Sequence, residues 1–183
     1  AKPSDSAKTI NEQLDKGKNI YFTPGTYHAE ESIKVNKANT ILIGTGMTSI
    51  IPDNDEAAME IADVDGIKVA GLIFDAGEKD SNYLLKVGPA NSDKDHSANP
   101  TILQDLFFRV GGTTANPTRA KNALEINSND VITDHFWIWR ADHGNGVSWS
   151  RNAADHGLIV NRDNVTCYAL FNEHFNKYDT LWN

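Results

Sequence analysis

The densest group of chemistry-bearing side chains lies in residues 158–183, LIVNRDNVTCYALFNEHFNKYDTLWN, where an apolar run gives way to Asn172, Glu173, His174, Lys177, Tyr178, Asp179 and Trp182. A carboxylate beside a histidine and among aromatics, carried on a rigid strand, is what cleavage of a sugar needs. On a strand Phe171 and Glu173 share one face, with Asn172 and His174 opposite. Glutamate is rarely buried alone, so Glu173 is either solvated or held by His174, Lys177 or a neighbouring strand.

A second group precedes it. In Trp137-Ile138-Trp139 the two tryptophans point one way, while Phe136 and Ile138 point the other. One pair is therefore core and the other exposed or groove-lining. Asp142 and His143 follow within RADHGNG (140–146), and Trp149 lies just beyond. Pyranose C–H faces are apolar and their rims carry hydroxyls, so aromatic faces beside carboxylates and amides make sugar platforms. The competing reading is that the tryptophans fill a core.

Other chemistries find less support. There is no G-x-S-x-G and no H-E-x-x-H. Gly44-Thr45-Gly46 has Ser49 where a dinucleotide loop needs a third glycine, and SIIP rather than a helix follows, which reads as a tight turn. The clusters Asp53–Glu56 and Asp93, Asp95, His96 lack the spacing of a calcium loop and read as solvated loops. Cys167 is the only cysteine, so no intrachain disulfide exists, and its apolar surroundings make it a core residue. The sequon Asn164-Val165-Thr166 enters a strand expected to be buried, so glycosylation there is not expected. No cofactor or metal is expected.

The elements that must position these groups are strands. A short helix over residues 1–17 places Ile10 and Leu14 on one face, can be capped by Ser4, Asp5 or Ser6, and stops at Gly17. It suits a lid. From residue 18 to 183 β-rich runs alternate with Gly, Asn, Asp and Pro turns, and no long helical pattern separates them. MEIADVDGIKVAGLIF, LEINSNDVITDHFWIW and LIVNRDNVTCYALF share one plan, an apolar triplet, a polar turn and a strand. The pairs Ile67/Leu72, Ile102/Phe107, Val131/Phe136 and Val165/Leu170 repeat at intervals of 35, 29 and 34 residues. Such periods with strand content indicate stacked coils, each burying its neighbour's apolar face. A propeller would need four antiparallel strands per repeat. The expected fold is all-β, a right-handed parallel β-helix, in which equivalent side chains line up about 4.8 Å apart along one face. The stack is expected to leave an open edge at Asn183, to be covered by further chain segments or another chain.

Composition fits a soluble, packed chain: 39% of the 183 residues are hydrophobic and 23% charged. A net charge of −8 argues against nucleic acid as a partner, and neutral polysaccharides remain open. No apolar run approaches the roughly 18 residues of a membrane span. A chain starting at Ala1 without a signal peptide would suit a mature secreted protein or an excised piece.

AKPSDSAKTINEQLDKGKNIYFTPGTYH, DVDGIKVAGLIFDAG, DHSANPTILQDLFFRVGG, WRADHGNGVSW and LFNEHFNKYDTLWN together resemble glycoside hydrolase family 55, the exo-acting β-1,3-glucanases or laminarinases. The resemblance covers practically the whole chain. It implies the second of two side-by-side parallel β-helices with the active site between them, a secreted location, and inverting hydrolysis. In that mechanism an acid protonates the glycosidic oxygen while a polar network activates water, the carboxyls standing about 6.5–9.5 Å apart. The resemblance makes Glu173 the catalytic residue in that water-holding network. Trp139 and Asp142 match positions lining the sugar pocket; His143, Trp149 and His174 are their neighbours. It also departs from the pattern, because the family's general acid lies further along than residue 183. Lacking it, the isolated chain is expected to be a very poor catalyst, since such protonation contributes about 10² to 10⁴ in rate. Two alternatives stand beside this: a non-catalytic polysaccharide-binding or structural β-helix, and a pectate-lyase-like enzyme, against which the missing calcium pattern and the negative charge both count.

Overall fold

The computed structural model describes residues 1–183 and consists of one helix followed by strands only. Helix α1 (Ala7–Asp15) starts at Ser6, whose hydroxyl accepts the Thr9 amide, and buries Ala7, Ile10 and Leu14. The strands are β1 (Ile20–Phe22), β2 (Gly25–Ala29), β3 (Ile33–Val35), β4 (Ile41–Gly44), β5 (Thr48–Pro52), β6 (Met59–Ile61) and β7 (Lys68–Asp75), then β8 (Ser81–Val87), β9 (Thr101–Val110), β10 (Ala120–Ile126), β11 (Val131–Arg140), β12 (His156–Val160), β13 (Thr166–Glu173) and β14 (Tyr178–Trp182). They form two sheets, one in the order β1-β4-β7-β9-β11-β13 with β2 and β5 attached, the other β3-β6-β8-β10-β12-β14. Neighbouring strands pair in parallel, and the chain visits the two sheets by turns. The result is a parallel β-helix with its apolar core between the sheets.

Each long strand of the first sheet bends at one level. Gly71, Asp105, His135 and Ala169 all take the left-handed conformation (φ 68°, 53°, 55° and 48°). Register puts Leu72, Leu106, Phe136 and Leu170 immediately after the bend in each coil. The bend inserts one residue into the alternation, so inward side chains fall at Val69, Leu72 and Phe74. The true equivalent of Leu72 in the next coil is therefore the buried Leu106, and Phe107, which the spacing selected, lies outside at 38% exposure. A one-residue slip in an alternating pattern exchanges core for surface. The paired intervals from Lys68 through Ile102 and Ile132 to Thr166 are 34, 30 and 34 residues.

The core is layered by coil. Phe74 stacks on Phe108 at 5.2 Å, and Phe108 meets Phe136 at 5.8 Å. Ile33, Met59, Leu85, Leu124 and Leu158 supply the facing layer from the second sheet. At the corners, asparagines hydrogen-bond along the axis: Asn161 donates to Asn127, and Asn183 to Asn161.

Three expectations change. His96 is buried rather than solvated, gripped by Asp65 (2.6 Å) and Asp63 (2.9 Å), while Asp130 accepts its amide. Closing a polar loop onto the stack brings those carboxylates around it. Asn164 sits exposed at a left-handed turn (φ 57°) outside β13. Cys167 packs beside the core, half-buried, and burial pushes its thiol up.

Candidate active site

The outward face of the bent sheet carries two ladders next to one another. Ile73, Phe107, Trp137 and Phe171 form the first. Asp75, Arg109, Trp139 and Glu173 form the second. Phe136 and Ile138 are buried, so the tryptophans are the surface pair, stacked at 5.5 Å with 22° between planes. Phe107 meets Trp137 edge-on at 6.3 Å. Below them Arg109 forms a two-pronged ion pair with the buried Asp75 (2.6 and 3.0 Å), and these bonds hold its guanidinium even more firmly protonated than usual. Met47, Ile73, Phe107, Arg109 and the two tryptophans line an apolar groove of about 280 Å³.

Glu173 closes the second ladder directly over Trp139. Its Oε1 accepts the Trp137 indole N–H at 3.0 Å, and its Oε2 lies 3.3 Å from His174 Nε2. Strand alternation would send His174 to the opposite side. Instead its left-handed backbone (φ 72°) turns the ring back toward Glu173 and, at 3.7 Å, toward Asp142. Asp142 also accepts from His143 Nδ1 at 2.7 Å, and that bond, aided by the charges of His174 and His143, holds its carboxyl below the usual range. The His143 ring leans on Trp139 at 5.1 Å.

Five of the selected residues, Trp139, Asp142, His143, Glu173 and His174, thus form one connected cluster. Trp149 stands apart from Trp139. It is 69% exposed and covers Arg140, whose guanidinium carbon lies 5.0 Å from its ring. With Asp142, His174, Ser148 and Arg140 it lines a second hollow of about 200 Å³. Arg140 itself escaped the sequence reading. It is buried, it donates to the carbonyls of His174 (2.9 Å), Trp149 (3.0 Å) and Ser148 (3.1 Å), and burial lowers its pKa. Arg109 and Phe107 were also missed as site residues, and Trp137, weighed with Trp139 as a possible sugar platform, was not singled out. Outward alternation on β11 was the available signal for Trp137; none existed for Arg140.

An apolar groove beside a carboxylate cluster on one sheet of a parallel β-helix is an architecture of the pectate-lyase-like class. The profile of the LAM55 pectate lyase-like domain matches residues 1–183, and the chain belongs to this domain family of glycoside hydrolase family 55. It is 51% identical over 181 residues to an exo-β-1,3-glucanase of Streptomyces sp. (strain SirexAA-E / ActE), covering 99% of this chain and 30% of that protein. Two solved structures of sacteLam55A from Streptomyces sp. SirexAA-E superpose on the whole chain. The first, a variant refined as an ensemble in complex with glucose, gives a TM-score of 0.96 at 51% identity. The second gives 0.97 at 50% identity. The chain spans about a third of the length of these relatives.

Proposed function

We propose that this domain supplies the water-activating wall of an exo-acting, inverting β-1,3-glucanase that releases glucose from laminarin. The observation that carries the reading is the placement of Glu173, in register over Trp139 and with its two oxygens facing different nitrogens. Glu173 holds the attacking water, as the base or as its support. The Trp139 face takes the apolar side of a glucose ring, and Asp142, oriented by His143, accepts from its hydroxyls. His174 and the exposed Trp149 complete the sugar's surroundings. The apolar groove running from Trp139 toward Met47 offers room for further glucose units.

The general acid and the opposite wall come from polypeptide outside these 183 residues, as a protein three times this length can provide. Residues 1–183 alone then bind glucan but turn it over poorly. The proposed setting is extracellular, where a polymeric glucan is encountered.

The test is to incubate laminarin with the polypeptide at its relatives' full length and follow product by proton NMR. Glucose released first as the α-anomer is expected. Laminarin bound without turnover would place the domain among binding modules, and β-anomer released first would exclude inversion.

A further inference from the structure

We propose that Trp137 is a positioning residue for Glu173, acting through its indole N–H as well as its ring. The inference rests on the reading of Glu173 given above. Register pairs Trp137 with Phe171 and Trp139 with Glu173, so the indole reaches Glu173 diagonally across two coils. That reach is fixed from both sides, since the ring stacks on Trp139 at 5.5 Å and is braced edge-on by Phe107 at 6.3 Å. Its Nε1 then sits 3.0 Å from Oε1.

The donor type matters. An indole N–H can only donate and carries no charge, so it engages Oε1 as an acceptor at every working pH. The partner on the other side, the His174 imidazole 3.3 Å from Oε2, carries nitrogens that donate or accept according to tautomer. The carboxylate is thereby oriented from one oxygen, leaving Oε2 to face His174 and a water. A misplacement of about 1 Å at a reacting group can cost on the order of 100-fold in rate. No core role competes for this side chain: Trp137 is 42% exposed, and the residues flanking it, Phe136 and Ile138, do the packing. Substituting it should leave the fold intact.

The experiment measures laminarin hydrolysis by the full-length polypeptide carrying Trp137→Phe, which keeps an aromatic ring and loses the donor. A second variant replaces Trp137 with benzothienylalanine, which keeps the bicyclic shape and exchanges only N–H for sulfur. In both we expect kcat to fall about 10-fold, the scale of one hydrogen bond to a charged group; for benzothienylalanine, which keeps the groove wall, KM should change less than about two-fold. A benzothienylalanine enzyme with wild-type kcat, or a Trp137→Phe effect confined to KM, would overturn the inference and leave Trp137 as a sugar-contacting surface. Glu173→Gln is run in parallel. If it keeps wild-type kcat, the functional reading fails; if it is inactive while both Trp137 variants keep kcat, only the positioning role fails.

Discussion

Replacing Arg140 with methionine should loosen the segment that presents Asp142 and His174 without unfolding the helix. The guanidinium ties three carbonyls, of Ser148, Trp149 and His174, and so joins the 141–149 loop to the end of β13. Hydrogen bonds from a charged group contribute about 1.5–3 kcal/mol each, so three would give on the order of 5 kcal/mol at the low end of that range. Against this stands Nε, buried without a partner, which costs about 1–3 kcal/mol and is relieved by methionine. The bonds win, by about 3 kcal/mol. Because the affected groups sit in a loop and just past the end of a strand, the loss should appear as local opening. Hydrogen exchange at residues 141–149 and 174–176 should accelerate about 100-fold, while the buried β7–β9 amides keep their protection. Unchanged exchange in the loop would refute the reasoning, and so would a uniform increase across all coils.

Two further outcomes follow from the packing. Gly71→Ala should destabilise by about 2 kcal/mol or more in urea unfolding, because its φ of 68° is combined with a new Cβ only 2.6 Å from the Gly44 carbonyl oxygen; Ala169, at the same bend, already shows that φ alone is tolerated. His96→Gln should be pH-sensitive. Burial lowers the imidazole's pKa, but its bonds to Asp65 and Asp63 outweigh this and hold it above 6.5. Burial raises the Asp63 carboxyl, but bonds from His96 and Ser128 outweigh that and hold it below 3.8. A raised histidine stabilises fully below 6.5 and less as pH rises through its folded value; a lowered carboxylate stabilises fully above 3.8 and less as pH falls. The cost of His96→Gln in urea should thus be greatest between those two values and shrink toward pH 8. A cost that grows with pH would contradict the pairing.

Much of the fold was legible because the coils repeat a pattern with a physical cause. Asn39, Gly66, Asp130 and Asn164 mark left-handed turns before β4, β7, β11 and β13, and such residues are the ones that tolerate that conformation. The register was less legible, since a left-handed residue inside each long strand shifts the alternation by one, and Asp105 and His135 do not advertise it as a glycine would. The same effect changed where His174 points, because its left-handed backbone reverses the side that alternation assigns to it. Trp139, Asp142, His143, Glu173 and His174 could be selected from two sequence segments because neighbouring coils bring those segments side by side. Arg140 and the Asp75–Arg109 pair could not, since their importance lies in carbonyls and carboxylates contributed by other coils.

The most direct test of the proposed function is the laminarin kcat of Glu173→Gln in the full-length polypeptide, measured beside glucan affinity. A glutamine keeps the shape and an oxygen for the Trp137 N–H but cannot take a proton from water. The account predicts kcat reduced by about 100-fold or more with affinity retained, within the range of general-base contributions. Glucose release at the wild-type rate would contradict it.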